Sequence, residues 1–168
     1  MTDDVTVRPA EPGDGEEMAR IWVETGRYYA GLNADLFQIP SEEGLAQDFE
    51  AEAASVDESH GALLVAELDG RLTGYIGVRL VDPVQSPATQ LVRYVGEAHT
   101  VVDLLVVEPA SWRQGVGGLL LHSAEAWGKE RGATLVRLET YVDSPVSVPF
   151  YEKRMGYQRR ALIFEKQL

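Results

Sequence analysis

The sequence predicts an α/β (α+β) domain. It reads as a mixed, mostly antiparallel sheet of roughly six to seven strands, with a central parallel β–α–β crossover and about four helices. Three observations carry this reading. Two strand-like runs, GALLVAEL and RLTGYIGVRLV, flank Asp69-Gly70, a residue pair that closes two-residue antiparallel hairpins. The apolar run HTVVDLLVV is followed by a glycine-rich segment, a helical stripe and a second strand pattern, TLVRLETYV, and two strands joined through a helix lie parallel. The chain of 168 residues is long enough for one domain, 1–168, with a substantial core, and no repeat or linker divides it.

In chain order, VTVRPA (5–10) alternates and reads as a short strand. Met18, Ile21, Trp22 and Tyr29 recur at helical spacing, so residues 15–30 form an amphipathic helix after the EPGD turn. GLNADLFQIP is irregular. Ser41, followed by Glu42 and Glu43, is placed to cap a second helix that carries Leu45 and Phe49. Within the hairpin, Gly74 and Gly77 mark a bulge or a close backbone approach. DPVQSPATQ is a loop. HTVVDLLVV (99–107) fits a strand buried on both faces, with Asp103 as its one acid. Val116, Leu119, Leu120, Ser123, Ala124 and Trp127 form one helical stripe, which Gly132 stops after Lys129 and Arg131. Val136, Leu138, Thr140 and Val142 share one face of the next strand. VDSPVSVP enters a short helix, VPFYEKRMG, ended by Gly156, and YQRRALIFEKQL closes the chain as a strand.

Composition narrows the function. The net charge of −12 speaks against a nucleic-acid partner, because a phosphate backbone calls for a basic footprint. It either attracts cationic small molecules or serves solubility alone. The absence of cysteine removes disulfides, zinc–thiolate sites and thiol nucleophiles. The acidic start MTDDVTVRPA lacks a signal-peptide pattern, and no apolar run approaches the ~20 residues that span a bilayer. A cytoplasmic protein with no metal and no membrane attachment is expected.

Gly115, Gly117 and Gly118 stand where the apolar strand gives way to a helix. The first N–H groups of a helix lack partners within it, and its dipole places partial positive charge there. Glycines let an anion reach those groups, so WRQGVGG suits a pyrophosphate, with Arg113 able to add a full charge. The alternative is a tight strand-to-helix turn and nothing more. Two other phosphate motifs match poorly. No Lys-Ser or Lys-Thr follows the glycines, as a P-loop requires, and Leu120 sits where the last glycine of GxGxxG belongs.

V-E-P-A-S-W-R-Q-G-V-G-G-L-L-L resembles the acetyl-CoA motif of the GNAT superfamily of N-acetyltransferases, a strand ending in V-x-P, then [QR]-x-x-G-x-[GA], then a helix. Trp112 stands where that motif prefers Gln or Arg, and Arg113 comes one residue late. PFYEKRMGY (149–157) resembles the family's x-F-Y-x-K-x-G-F segment with Met155 as an extra residue, and VTVRPAEPGD resembles its opening strand and turn. Ser144 stands where the family often has Asn before the last helix. With the hairpin in the expected place, the resemblance covers nearly the whole chain and implies a GNAT-like fold.

The resemblance implies transfer of an acetyl group from the co-substrate acetyl-CoA to a primary amine. It also implies a cofactor site at Leu105, Val107, Arg113, Gln114, Gly115, Val116, Gly117, Gly118, Ser144 and Ser147. Without cysteine, direct attack in a ternary complex is favoured over a thiol-linked intermediate. Tyr151 matches the tyrosine that protonates the leaving thiolate, a phenol with a pKa near ~10 being protonated at neutral pH. It is otherwise a core aromatic. Asp103, an acid in a buried-looking strand, either accepts the amine proton, holds a substrate cation or is a structural acid. By strand alternation it shares a face with His99, Val101 and Leu105. His99 is a second candidate base, read by default as a surface residue at the strand mouth. Glu139 and Tyr141 are weaker candidates, and His60 and His122 read as loop and solvent-face residues.

The acceptor is expected between the first two helices and the central strands, near Tyr28, Tyr29, Asp35, Phe37 and Asp48, with Tyr29, Phe37, Asp103 and Tyr141 as its contacts. Aromatics with acids suit a cation, so a polyamine, aminoglycoside or basic amino acid is expected. The other readings are a non-catalytic CoA-binding regulatory or structural module and a protein or peptide N-acetyltransferase. A homodimer is an accompanying expectation.

Overall fold

The Asp69-Gly70 pair behaves as its residue types require. In the computed structural model, which describes residues 5–168, both residues have positive φ (53° and 76°), the geometry of a two-residue hairpin turn. They join β2 (Gly61–Leu68) to β3 (Arg71–Val81) in antiparallel register, with Leu68 opposite Arg71. With β1 (Thr6–Pro9), β4 (His99–Val107) and β5 (Leu135–Leu138) these make one sheet in the order β1-β2-β3-β4-β5. β4 and β5 are parallel, with His99 opposite Leu135 and Val102 opposite Leu138. The other pairs are antiparallel. The acidic start read above as lacking a leader extends into residues 1–4, outside the described residues.

Five strands are fewer than the six to seven expected. TLVRLETYV is strand only over Leu135–Leu138, and YQRRALIFEKQL contains none. A strand needs a ladder partner as well as suitable side chains. None of the described pairings extends beyond Leu138. By their internal contacts, residues up to Leu138 and residues Glu139–Leu168 form two compact units.

One sheet face packs on α1 (Gly15–Leu32) and α2 (Leu45–Ser55). Met18 and Ile21 from α1, Phe49 from α2, and Leu63, Val65, Leu72, Tyr75 and Val106 from the sheet form one buried cluster. Ser41 does not cap α2. Its hydroxyl accepts from the Glu43 N–H (3.2 Å) in a local turn, and the helix starts after Gly44, whose left-handed backbone (φ 78°) breaks any earlier start. Two carboxylates secure the segment that leads into α1, of which Glu50 alone bonds a helix N–H. Arg8 on β1 makes two hydrogen bonds to Asp14 (2.8 and 3.0 Å), and Glu50 on α2 accepts from the N–H groups of Gly13 (2.9 Å) and Gly15 (2.8 Å).

α3 (Val116–Glu130) buries Leu120, Leu121 and Ala124 against the sheet face opposite that cluster. Gly74 permits this contact. A Cβ there would lie 2.7 Å from the Val106 carbonyl and 3.2 Å from the Leu120 side chain, so the close approach expected at this glycine is present. Gly132 stops α3 as expected. Its φ is 84°, its N–H bonds the Lys129 carbonyl (3.1 Å), and the Ala133 N–H bonds that of Gly128 (3.0 Å), the paired bonds of a Schellman end. In the C-terminal unit, α4 (Ser147–Pro149) continues into a π turn, Phe150–Arg154, and Gly156 (φ 74°) ends it.

Candidate active site

β4 is not a regular strand. Gly77 pairs with Leu104 and Val78 with Val102, so Asp103 is an extra residue with no partner on β3. A bulge of this kind puts two successive residues toward one side. Leu104 packs against the α1–α2 cluster, and Asp103 lines a cleft of about 220 Å³ together with Glu52, Asp57, His60, Leu63 and Val78.

The expected buried carboxylate is therefore corrected. The Asp103 side chain is 46% exposed, and the Arg79 Nε donates to its Oδ1 at 3.0 Å. Of the expected shared face, His99 and Val101 remain with Asp103 and only Leu105 is corrected, because beyond the bulge Leu105 and Val107 fall on the α3 side while Leu104 and Val106 face α1 and α2. Strand alternation presumes one residue per position, and the bulge breaks that count.

His99 is also corrected. It is buried, its Nδ1 lies 3.2 Å from the Glu97 carbonyl, and its ring meets Tyr94 edge-on at 5.1 Å. The Arg137 guanidinium covers the same Tyr94 ring at 4.1 Å. His60 is exposed beside Asp57 and Asp82, and His122 is exposed beside Glu125.

The end of β4 leads straight into the glycine turn. β5 pairs with β4 only as far as Val102, so Asp103–Val107, including the expected cofactor residues Leu105 and Val107, have no strand on that edge among the described residues. Arg113 (φ 64°) and Gly115 (φ 93°) both take the left-handed conformation. Gly115 precedes α3, no side chain caps the helix, and a Cβ added at Gly115 would meet nothing within 4 Å. The N–H groups at the start of α3, those of Val116, Gly117 and Gly118, thus lie at the positive end of a helix that no side chain caps. The Arg113 side chain is exposed. Gln114 is exposed as well, its Nε2 donating back to the Ala110 carbonyl (3.0 Å). This arrangement fits a pyrophosphate.

Sequence reasoning missed the groups that fasten this turn. Glu108 is 1% exposed. Its carboxylate accepts from Arg20 Nη1 (2.7 Å), Arg71 Nη2 (3.1 Å) and Ser111 Oγ (2.8 Å), and its N–H bonds the Thr73 carbonyl (2.9 Å). Burial works against the Arg20 charge. Hydrogen bonds to Glu17 and Glu108 outweigh it and hold the guanidinium above its ordinary pKa. The Trp112 indole N–H donates to the Val107 carbonyl (2.7 Å), and its ring meets Tyr28 edge-on at 4.6 Å. An acid ending an apolar strand, directly before a proline, is the one local sign of Glu108. Its arginine partners lie far away in sequence.

Two of the expected acceptor residues come together. The Phe37 ring lies 5.0 Å from Tyr29, and Tyr29 lies 5.3 Å from Tyr28, which touches Trp112. Asp35 and Asp48 are exposed. Asp103 belongs to a different set, the cleft beside the end of α2.

The remaining candidates lie in the C-terminal unit. Ser144 is buried, and its hydroxyl accepts from the Ser147 N–H (3.0 Å) at the start of α4. Tyr141 is half-buried and Glu139 exposed. Tyr151 is half-buried in the π turn, its ring 5.1 Å from Phe150 and 6.0 Å from Tyr157. The Met155 N–H bonds the Phe150 carbonyl five residues back (3.0 Å). A π turn holds one residue more than an α turn, which absorbs the extra Met155.

Comparison with known proteins agrees with this geometry. The model of the acetyltransferase (GNAT) family matches residues 27–157, and the chain belongs to that family. Its fold is similar to that of a point mutant of the BH1408 protein from Bacillus halodurans, at 20% identity and a TM-score of 0.80 over 97% of this chain and 99% of that one. It is also similar to a transcriptional regulator from Bacillus halodurans C-125, at 22% identity and a TM-score of 0.71 over 98% and 100%. A third similar structure is AAC(6')-Iy in complex with the bisubstrate analogue CoA-S-monomethyl-acetylneamine, at 15% identity and a TM-score of 0.65 over 98% and 99%. No curated protein matches the sequence. Among the described residues no helix is long and apolar enough to cross a membrane.

Proposed function

We propose that the chain acts as one cytoplasmic N-acetyltransferase domain, moving an acetyl group from acetyl-CoA to a primary amine of a small cationic acceptor. The observation that carries this is the start of α3. The first backbone N–H groups of the helix have no side-chain cap and follow a left-handed Gly115 with open space at its Cβ position, in a chain of the GNAT family. Those N–H groups and Arg113 hold the pyrophosphate, the edge of β4 at Leu105 and Val107 lies along the rest of the cofactor, and Ser144 and Ser147 complete the cofactor set. Acetyl-CoA supplies the thioester carbonyl and the thiol leaving group.

An alkylamine with a pKa near ~10 is protonated in neutral solution and must lose a proton to attack. Asp103 accepts that proton or holds the ammonium group in the cleft it shares with Glu52 and Asp57, competing with Arg79 for the same oxygen. Tyr151 donates its proton to the departing sulfur. Tyr29, Phe37 and Tyr141 contact the acceptor. With no cysteine in the sequence, attack is direct, in a ternary complex.

The test is a panel of amines with acetyl-CoA, following release of free CoA thiol. The protein adds no thiol of its own. Polyamines, aminoglycosides and basic amino acids should react best, and added salt should lower their kcat/KM. If acidic or neutral amines react best with no salt effect, the cationic acceptor is wrong. CoA binding without reaction of any amine would leave a non-catalytic CoA-binding module.

A further inference from the structure

We propose that Glu108 is a positioning residue for coenzyme A. It fastens the turn that presents the first N–H groups of α3, acting through Ser111 and the arginines of α1 and β3 without touching the ligand. The inference rests on the pyrophosphate reading of that turn.

Arg113 and Gly115 are both left-handed within three residues of each other, and one of them is not glycine. Such a conformation persists only where its surroundings over-determine it. Glu108 stands at the hinge between β4 and the turn. Its N–H is anchored to Thr73 on β3, and its carboxylate is held by Arg20 from α1 and Arg71 from β3. Arg20 also donates to the Leu72 carbonyl (3.0 Å). The Glu108 Oε1 accepts from Ser111 Oγ at 2.8 Å, two residues before Arg113, beside a longer bond from Arg71 Nη1 (3.4 Å). The same network that joins α1 to the sheet therefore reaches the strained turn through Ser111, whose hydroxyl bonds the carboxylate and whose N–H bonds the Glu108 carbonyl (2.9 Å).

Both sides of this junction are secured. The Trp112 indole bonds the Val107 carbonyl, and Gln114 bonds that of Ala110. A buried carboxylate with two guanidinium partners is more than a β-strand needs to end. Its placement beside the cofactor turn gives it a use, because preorganised donors bind an anion without first being ordered.

The experiment compares the wild type with Glu108→Gln and Ser111→Ala. Glu108→Gln keeps size but replaces one acceptor oxygen by an NH2 donor among donors, and leaves two guanidinium groups without their buried charge partner. Ser111→Ala keeps the buried ion pairs and the backbone bond to the Glu108 carbonyl, and removes only the hydroxyl's bond to the carboxylate. Calorimetry with CoA, steady-state kinetics and thermal unfolding are read together. We expect CoA Kd and the acetyl-CoA KM to rise roughly tenfold in both variants, with kcat and the amine KM near wild type. In Ser111→Ala the melting temperature should move only a few degrees.

A fall in Tm with unchanged CoA Kd in both variants overturns the proposal, since the network then serves stability alone. If Glu108→Gln does not fold, Ser111→Ala decides by itself. A wild type that does not bind CoA sinks the pyrophosphate reading and this inference with it. Wild-type binding with unaltered variants sinks this inference only.

Discussion

Replacing Gly115 by alanine separates the two reasons a glycine could stand before α3. The residue has φ 93° and ψ −11°, a conformation that costs an L-residue roughly 1–2 kcal/mol. No steric penalty adds to this, because a Cβ there meets nothing within 4 Å. For a chain of this length each 1 kcal/mol lowers Tm by about 2–4 °C, so a fall of about 2–8 °C is expected. Circular dichroism during heating measures it. The free space that admits the methyl group is also the space assigned to the pyrophosphate, so CoA affinity should fall about tenfold, equivalent to ~1.4 kcal/mol. Titration calorimetry at a temperature where the variant is folded reads this separately. A lowered Tm with unchanged CoA affinity would show that the glycine serves only the turn, and the cradle assignment would fail. An unchanged Tm would refute the backbone argument itself.

Further substitutions test the remaining assignments. Tyr151→Phe should lower kcat by ~10²–10⁴-fold with the acetyl-CoA KM unchanged, and a wild-type kcat would mean the ring only packs. Asp103→Asn should raise KM about tenfold for cationic amines and leave neutral amines alone. Its effect on stability should stay within ~1 kcal/mol because the pair with Arg79 is exposed. Hydrogen bonds from Arg8 hold the Asp14 carboxyl below the usual carboxylate range. A depressed folded value gives stability that is full above about pH 4 and is lost as pH falls through that value. Asp14→Asn should thus be less stable by about 1–3 kcal/mol near neutral pH, with the gap closing in acid. A gap in urea-unfolding stability that stays constant from neutral pH down to about pH 2 contradicts the assignment.

Features written in neighbouring residues were legible in the sequence. Asp69-Gly70 specified its turn, Gly132 its helix end, and the order apolar run, glycines, helical stripe gave the β4–turn–α3 unit. What escaped depends on partners distant in sequence. Nothing local to HTVVDLLVV announces a bulge, so Asp103 was placed in the interior when the irregularity turns it toward a cleft. Glu108 draws its meaning from Arg20 and Arg71, and only the folded chain brings them to it. The closing segment has residues suited to a strand, yet Leu162, Ile163 and Phe164 are exposed, because β-propensity without a ladder is not structure. Ser41 has the residue type of a helix cap, but the left-handed Gly44 decided where α2 begins. Within the site, the turn and its glycines were readable, and the scaffold that holds them was not.

The extra residue in β4 bears on how this gene could vary. Removing one residue from the middle of a central strand ordinarily inverts every side chain beyond the gap and carries the core onto the surface. The bulge at Asp103 makes this strand an exception. Gly77 and Val78 already pair with Leu104 and Val102 as direct neighbours, so a chain lacking codon 103 would close into an unbroken ladder with Leu104 and Val106 still facing α1 and α2. The loss would fall on the carboxylate and on the local bend, and the hydrophobic layers would survive. At this position a single in-frame deletion strips a chemical group from the cleft as cleanly as a point substitution does, while the same event at Val102 or Leu104 would close the ladder equally well but draw Asp103 into the apolar position left vacant.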